Sequence, residues 1–261
     1  MSKFEVQTIK GMLPAMVTSF DKDENFDEKG QIEVVDFLLN HGSDGLYITG
    51  STGETFLMET SERKRVTEVV CERVNHKKPV IAHIGAIGTK VSIDLAKHAS
   101  SCGVDAISAV PPFYWKFNEN EIFNYYKDIC EAVDIPMIVY NIPLAGTMGY
   151  PLIKRLAEIE NIKGIKYTAS THHEITRIKQ EIGSDFMIYS GVDEMAVSGL
   201  MSGADGIIGS FYNIIPELFK DIYIAVKEDR LLDAKKYQDQ ANRIIMYVLD
   251  HGFVSTMKRA L

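Results

Sequence analysis

Short runs of β-branched and apolar residues recur along the whole chain, and each gives way to a stretch whose apolar residues fall at helical spacing. This alternation is the pattern of repeated βα units. It predicts eight strands, over residues 12–18, 45–49, 80–84, 106–110, 137–141, 163–168, 186–190 and 206–209. Between them lie helical patterns such as Ile32, Val35, Leu38 and Leu39, or Ile122, Tyr125, Tyr126 and Ile129, the latter entered through Asn118 with Glu121 three residues on. Strands covered on both faces read as near-continuous apolar runs, as residues 137–140 (MIVY) do. Eight such units closing on themselves predict an α/β fold, the (β/α)₈ TIM barrel.

No linker or charge block interrupts the alternation, so residues 1–228 are expected to form one barrel domain. Residues 229–261 are expected to add a C-terminal helical extension, a long helix over 231–250 and another beginning near Phe253. That last pattern ends at Lys258, Arg259, Ala260 and Leu261 without a C-terminal glycine, so the extension reads as truncated within a helix.

Composition and charge narrow the partners. With 28 Lys and Arg against 36 Asp and Glu, the 261-residue chain has a formal charge of −8, which argues against nucleic acid. A 46% hydrophobic share is ordinary for a globular protein. No apolar run approaches the roughly 18 residues of a membrane span, and Glu5 and Pro14 interrupt any signal-peptide core, so a soluble, cytoplasmic protein without membrane association is expected. Cys71, Cys102 and Cys130 are too few and too scattered for a disulfide framework or a zinc ribbon.

Barrels of this kind act at the C-terminal ends of their strands. Three ends carry chemistry: Gly50-Ser51-Thr52-Gly53-Glu54 after the second strand, Tyr140-Asn141-Ile142-Pro143 after the fifth, and Lys166 within Gly164-Ile165-Lys166-Tyr167-Thr168 of the sixth. Strand alternation sends Gly164, Lys166 and Thr168 to one face and leaves Lys163 with the opposite parity. Burial of an ammonium is costly and favours the neutral amine, a nucleophile able to form a Schiff base; a lysine that snorkels out or pairs with a carboxylate is the alternative. Tyr140 is a proton relay to Lys166 or a packed aromatic. GSTGE is an anion-binding turn or an ordinary βα turn, and it lacks the GK[ST] of a phosphate loop. Adjacent His172 and His173 point to different sides and lack acidic companions, which favours a solvent-facing or helix-N-terminal place over a metal site. His83 ends the third strand and is expected to line the floor.

GSTGE, YNIP, GIKYT, GVDE and GADGIIGSFYN, in this order, resemble the pyruvate-dependent class I aldolases, the family of N-acetylneuraminate lyase and dihydrodipicolinate synthase. The resemblance covers essentially the whole chain. It implies a Schiff base between Lys166 and pyruvate with no cofactor and no metal, a proton shuttle at Tyr140, and a pyruvate carboxylate held by Ser51 and Thr52, with Gly50 and Thr168 beside them. Within the family, an arginine soon after YNxP binds the carboxylate of an anionic aldehyde, and this chain reads LAGTMGY there. GVDE and GSFYN instead resemble the groups that hold a polyhydroxylated chain, here Gly191, Asp193, Glu194 and Ser210. Phe211 departs from a more usual threonine. Tyr114 resembles a tyrosine lent by a neighbouring subunit, so a homotetramer is implied. The implied reaction is cleavage of N-acetylneuraminate to N-acetylmannosamine and pyruvate. Alternatives are another aldehyde partner (a 2-keto-3-deoxy sugar acid aldolase or a dihydrodipicolinate synthase), a catalytically silent 2-oxo acid sensor, and a phosphate-binding barrel using GADGIIGS.

Overall fold

A computed structural model describes residues 3–261; Met1 and Ser2, the head of the stretch read above for targeting signals, lie outside the described residues. Eight strands alternate with eight helices: β1 (Gly11–Pro14), α1 (Glu28–Asn40), β2 (Leu46–Ile48), α2 (Thr60–Val74), β3 (Val80–His83), α3 (Thr89–Ser101), β4 (Ala106–Ala109), α4 (Glu119–Ala132), β5 (Met137–Asn141), α5 (Tyr150–Leu156), β6 (Ile162–Tyr167), α6 (His173–Ile182), β7 (Met187–Ser190), α7 (Ala196–Met201), β8 (Gly206–Gly209) and α8 (Pro216–Lys227). Two more helices follow, α9 (Leu231–Asp250) and α10 (Phe253–Ala260). All strand pairs are parallel in the order β1-β8-β7-β6-β5-β4-β3-β2, and a bridge from Ala15 to Tyr47 brings the two edges together, giving a (β/α)₈ barrel.

Each strand feeds two apolar layers, because alternate residues face the lumen and the helices. Leu13, Tyr47, Ile81, Ala106, Ile138, Met187 and Ile208 fill the lumen, and Val6 and Ile9 of the N-terminal segment join that cluster. The helices pack outside, entered by the expected local signals. Asn118 accepts from the backbone N–H of Asn120 and Glu121, and Glu121 accepts from that of Asn118, a complete capping box at α4. On α9 the buried face is Ala234, Ala241, Ile245 and Val248, set against Phe219 and Ile222 of α8. Among the described residues no helix is long and apolar enough to cross a membrane.

Five strands are shorter than the sequence predicts, β1 and β2 by the most. β1 stops at Pro14 because the backbone beyond it is taken by a side chain: Asn213 donates to Ala15 O and accepts from Val17 N. β2 stops at Ile48 because Thr49 adopts φ +52°, with its hydroxyl donating to His83 O on β3. A positive φ at a β-branched residue is strained and is maintained only where the surroundings over-determine it. Here it turns the chain directly into GSTGE.

The opposite rim carries a device that repeats in the sequence as Gly42-Ser43-Asp44-Gly45, Gly103-Val104-Asp105-Ala106 and Gly203-Ala204-Asp205-Gly206. Each first glycine has positive φ, the conformation that ends a helix without strain. Each aspartate then accepts from a backbone N–H of the neighbouring odd-numbered strand: Met12 for Asp44, Val80 for Asp105 and Ile188 for Asp205. Asp105 also accepts from the N–H groups of Lys3 and Phe4. Replacing it with alanine leaves three amides without their acceptor, so Asp105→Ala is expected to lower unfolding free energy by about 3 kcal/mol or more. Urea denaturation monitored by circular dichroism checks this, and an unchanged midpoint would contradict it.

Candidate active site

Lys166 is 4% exposed and points into the C-terminal mouth of the barrel. β5 and β6 pair Tyr140 with Lys166 directly, which places their side chains side by side on the lumen face. The amine lies 4.2 Å from the centre of the Tyr140 ring and 4.4 Å from that of Tyr47, with no carboxylate in a salt bridge to it among the described residues. The amine therefore packs against two aromatic faces, and the Asp193 carboxyl interacts with it electrostatically without forming a salt bridge. That arrangement supports a charge without blocking the amine through a salt bridge. Lys163 follows Ile162 at the other end of the strand and has the opposite parity, as expected.

The surroundings explain why small residues flank the lysine. A Cβ on Gly191 would stand 2.0 Å from Thr168 Oγ1 and 3.2 Å from Lys166 Cε, and one on Gly50 would stand 2.6 Å from the Tyr47 ring. Side chains there would invade the space around the amine. Thr168 Oγ1 and Ser51 Oγ are buried without a hydrogen-bond partner among the described residues. Buried hydroxyls without partners are unfavourable, and an oxygen-rich ligand would satisfy both. Thr52 Oγ1 and Ser210 Oγ are 2.6 Å apart, so one hydroxyl donates to the other and joins the β2 and β8 loops.

Asp193 sits in a single turn of tight helix, Asp193–Met195, after β7. One carboxylate oxygen accepts from the backbone N–H of Ser210 and of Phe211, at 2.8 and 2.9 Å, and so holds the β8 loop. Burial pushes its carboxyl up to about 7, partly offset by those two N–H groups. Asp193 is thus committed partly to scaffolding, which the sequence did not reveal. The Glu194 carboxylate forms no hydrogen bond or ion pair among the described residues.

His83 lies under this cluster, its ring 6.0 Å from that of Tyr140 and edge-on to it. Its Nδ1 donates to Thr49 O and its Nε2 accepts from Val110 N–H, while burial holds it well below its ordinary range. A neutral, fully engaged ring is a floor and not a base. Tyr47, adjacent to both Lys166 and Tyr140, is a site residue the sequence reasoning missed; its lumen parity three residues before GSTGE was the available signal. His172 takes the helix-N-terminal place that was one of the two expected for the histidine pair. It is buried there against Ser198 rather than facing solvent, because its Nδ1 pairs with that hydroxyl at 2.8 Å. Only His173 faces outward. Among the described residues no group of three or more His, Cys, Asp or Glu side chains is placed to hold a metal.

Tyr114 stands apart from Lys166. It is 71% exposed beside Trp115, on the rim of a cleft of about 480 Å³ between the loops after β4 and β5. Phe211, the departure from threonine, is buried with its ring 5.7 Å from that of Phe253 on α10.

The model of the dihydrodipicolinate synthetase family matches residues 8–261. The chain belongs to this family. Among its family relatives, the N-acetylneuraminate lyase of Escherichia coli (strain SMS-3-5 / SECEC) is 37% identical over 97% of this chain and 86% of its own length. The crystal structure of CdNal from Clostridium difficile in complex with mannosamine superposes with a TM-score of 0.94 at 36% identity, over 96% of this chain and 87% of that one. N-acetylneuraminate lyase from Mycoplasma synoviae gives 0.90 at 35% identity, over 96% and 86%. Each of these three matches spans nearly the whole of this chain.

Proposed function

We propose that the chain is a Schiff-base aldolase that cleaves N-acetylneuraminate to N-acetylmannosamine and pyruvate. The observation that carries this reading is a buried lysine with no carboxylate in a salt bridge to it among the described residues, flanked by Tyr140 and by hydroxyls that lack partners. Lys166 Nζ attacks the C2 ketone, and loss of water leaves an iminium that accepts electrons. Tyr140, having given its phenolic proton to the hydroxyl that leaves as water in that dehydration, takes the C4 hydroxyl proton as the C3–C4 bond breaks, releasing the aldehyde. Protonation of the enamine at C3 and addition of water free pyruvate and return the amine. Ser51 and Thr52 hold the carboxylate, and if Ser210 donates to Thr52, the Thr52 proton is available for it. Gly191, Glu194, Ser210 and the free oxygen of Asp193 face the polyhydroxylated end. Two carboxylates accept from vicinal hydroxyls but repel an anionic aldehyde, and residues 144–150 bring no arginine to offset that repulsion. A homotetramer, in which each subunit lends Tyr114 to a neighbouring subunit's site, belongs to the same reading.

Side-by-side condensation assays test the substrate. Pyruvate with N-acetylmannosamine is expected to give product, and pyruvate with aspartate semialdehyde is expected to give none. The reverse preference would overturn the lyase reading and leave the Schiff-base chemistry standing.

A further inference from the structure

Three substrate-side loops come from separate strands, yet all are fastened to the helices that follow the barrel. Lys258 of α10 pairs with Glu54 of the GSTGE turn, and Phe253 packs on Phe211. The fastening of the Asp193–Glu194 turn is the most specific. Gln238 and Asn242 lie one turn apart on α9, which puts both amides on one face of the helix. Gln238 Nε2 donates to Asp193 O at 3.0 Å and to Asn242 Oδ1 at 2.9 Å, and its Oε1 accepts from Val197 N–H at 3.1 Å. Asn242 Nδ2 donates to Glu194 O at 3.1 Å. A buried amide that bonds the backbone on both sides of a turn fixes where its side chains project.

We propose that Gln238 and Asn242 are positioning residues for the aldehyde half of the reaction: the α9 amide pair sets the Asp193–Glu194 turn, and through it the affinity for the polyhydroxylated substrate. Neither residue contacts Lys166 or Ser51, so the pyruvate half is independent of them. This rests on the lyase reading, in which Asp193 and Glu194 face the sugar chain. Glutamine and asparagine are suited to the task because each donates and accepts, so one side chain holds a carbonyl and a partner at once.

Asn242→Asp tests the claim with little change of shape, since the acceptor for Gln238 is kept and only the donor to Glu194 O is lost. In the condensation direction, KM for N-acetylmannosamine is expected to rise about fivefold or more, the scale of one lost hydrogen bond. KM for pyruvate and borohydride trapping of pyruvate should stay within about twofold, a margin well under that of one hydrogen bond. Gln238→Met, which removes all three bonds at similar volume, should exaggerate the same split. A merely structural role predicts a lower melting temperature and less active enzyme with both KM values unmoved. That result, or a parallel rise in both KM values, overturns the proposal. Failure of the unaltered enzyme to accept N-acetylmannosamine would instead refute the lyase reading; the same split measured on whichever aldehyde it does accept would then decide the α9 claim.

Discussion

Lys166→Arg is expected to abolish pyruvate release from N-acetylneuraminate while leaving a folded barrel. The guanidinium remains protonated at any usable pH and cannot attack the ketone. It still places a cation against the faces of Tyr47 and Tyr140, so the contacts that hold the native side chain are largely retained. The loss removes the covalent route together with the advantage of a positioned nucleophile, which for well-oriented groups is about 7–11 kcal/mol, or roughly five to eight orders of magnitude in rate. Overpacking by the larger head group is expected to cost no more than about 1–3 kcal/mol. Coupled-assay rates and a thermal melt on the same preparation separate the two effects. Residual turnover within tenfold of the unaltered enzyme would show that the lysine is not the nucleophile.

Asp193→Leu is expected to damage the fold as well as the activity, and that combination distinguishes its position from a purely substrate-facing one. One of its oxygens accepts from two backbone N–H groups of the β8 loop. Leucine would leave both amides without an acceptor, at about 1–3 kcal/mol each. Against a total stability of about 5–15 kcal/mol this is severe. Asp193→Asn keeps an acceptor oxygen and should recover most of the lost stability. The asparagine variant also exposes the effect of charge. Burial raises the native carboxyl to about 7, above its ordinary value of 3.8, so between those values the native state binds a proton that the unfolded chain lacks. This group therefore adds stability as pH falls from about 7 towards 4 and loses it as pH rises. The melting temperature of Asp193→Asn relative to the unaltered protein should accordingly be higher at pH 8 than at pH 5. A difference that is flat with pH would contradict the buried, proton-binding carboxyl.

These two residues also mark how far the sequence could be read. Lys166 stood out because a lone charge in an apolar strand has few structural explanations, and Tyr140 followed because it ends the neighbouring strand. Local alternation left a structural alternative open for each, and the family resemblance implied their roles. The strands were legible for a related reason: residues such as 137–141 are buried on both faces, so their apolar character does not alternate. Tyr47 was missed because its importance depends on the curvature that brings β2 across the lumen to β6. The early end of β1 depends on Asn213, 198 positions from Ala15, whose amide takes the backbone groups a longer strand would have used. Asp193 was expected to face the substrate, but the tie from its carboxylate to the next loop is a tertiary contact that no spacing encodes. The glycine–aspartate repeat at the far rim went unread in the sequence, and its pairing with the odd strands needed coordinates.

The most direct test of the central claim is reduction with borohydride in the presence of pyruvate, followed by peptide mapping. A single reduced pyruvyl adduct on Lys166 is the predicted result, with prior addition of N-acetylmannosamine lowering its yield by drawing the enamine into condensation. An adduct on Lys163 or another lysine, or no adduct at all, would contradict the account.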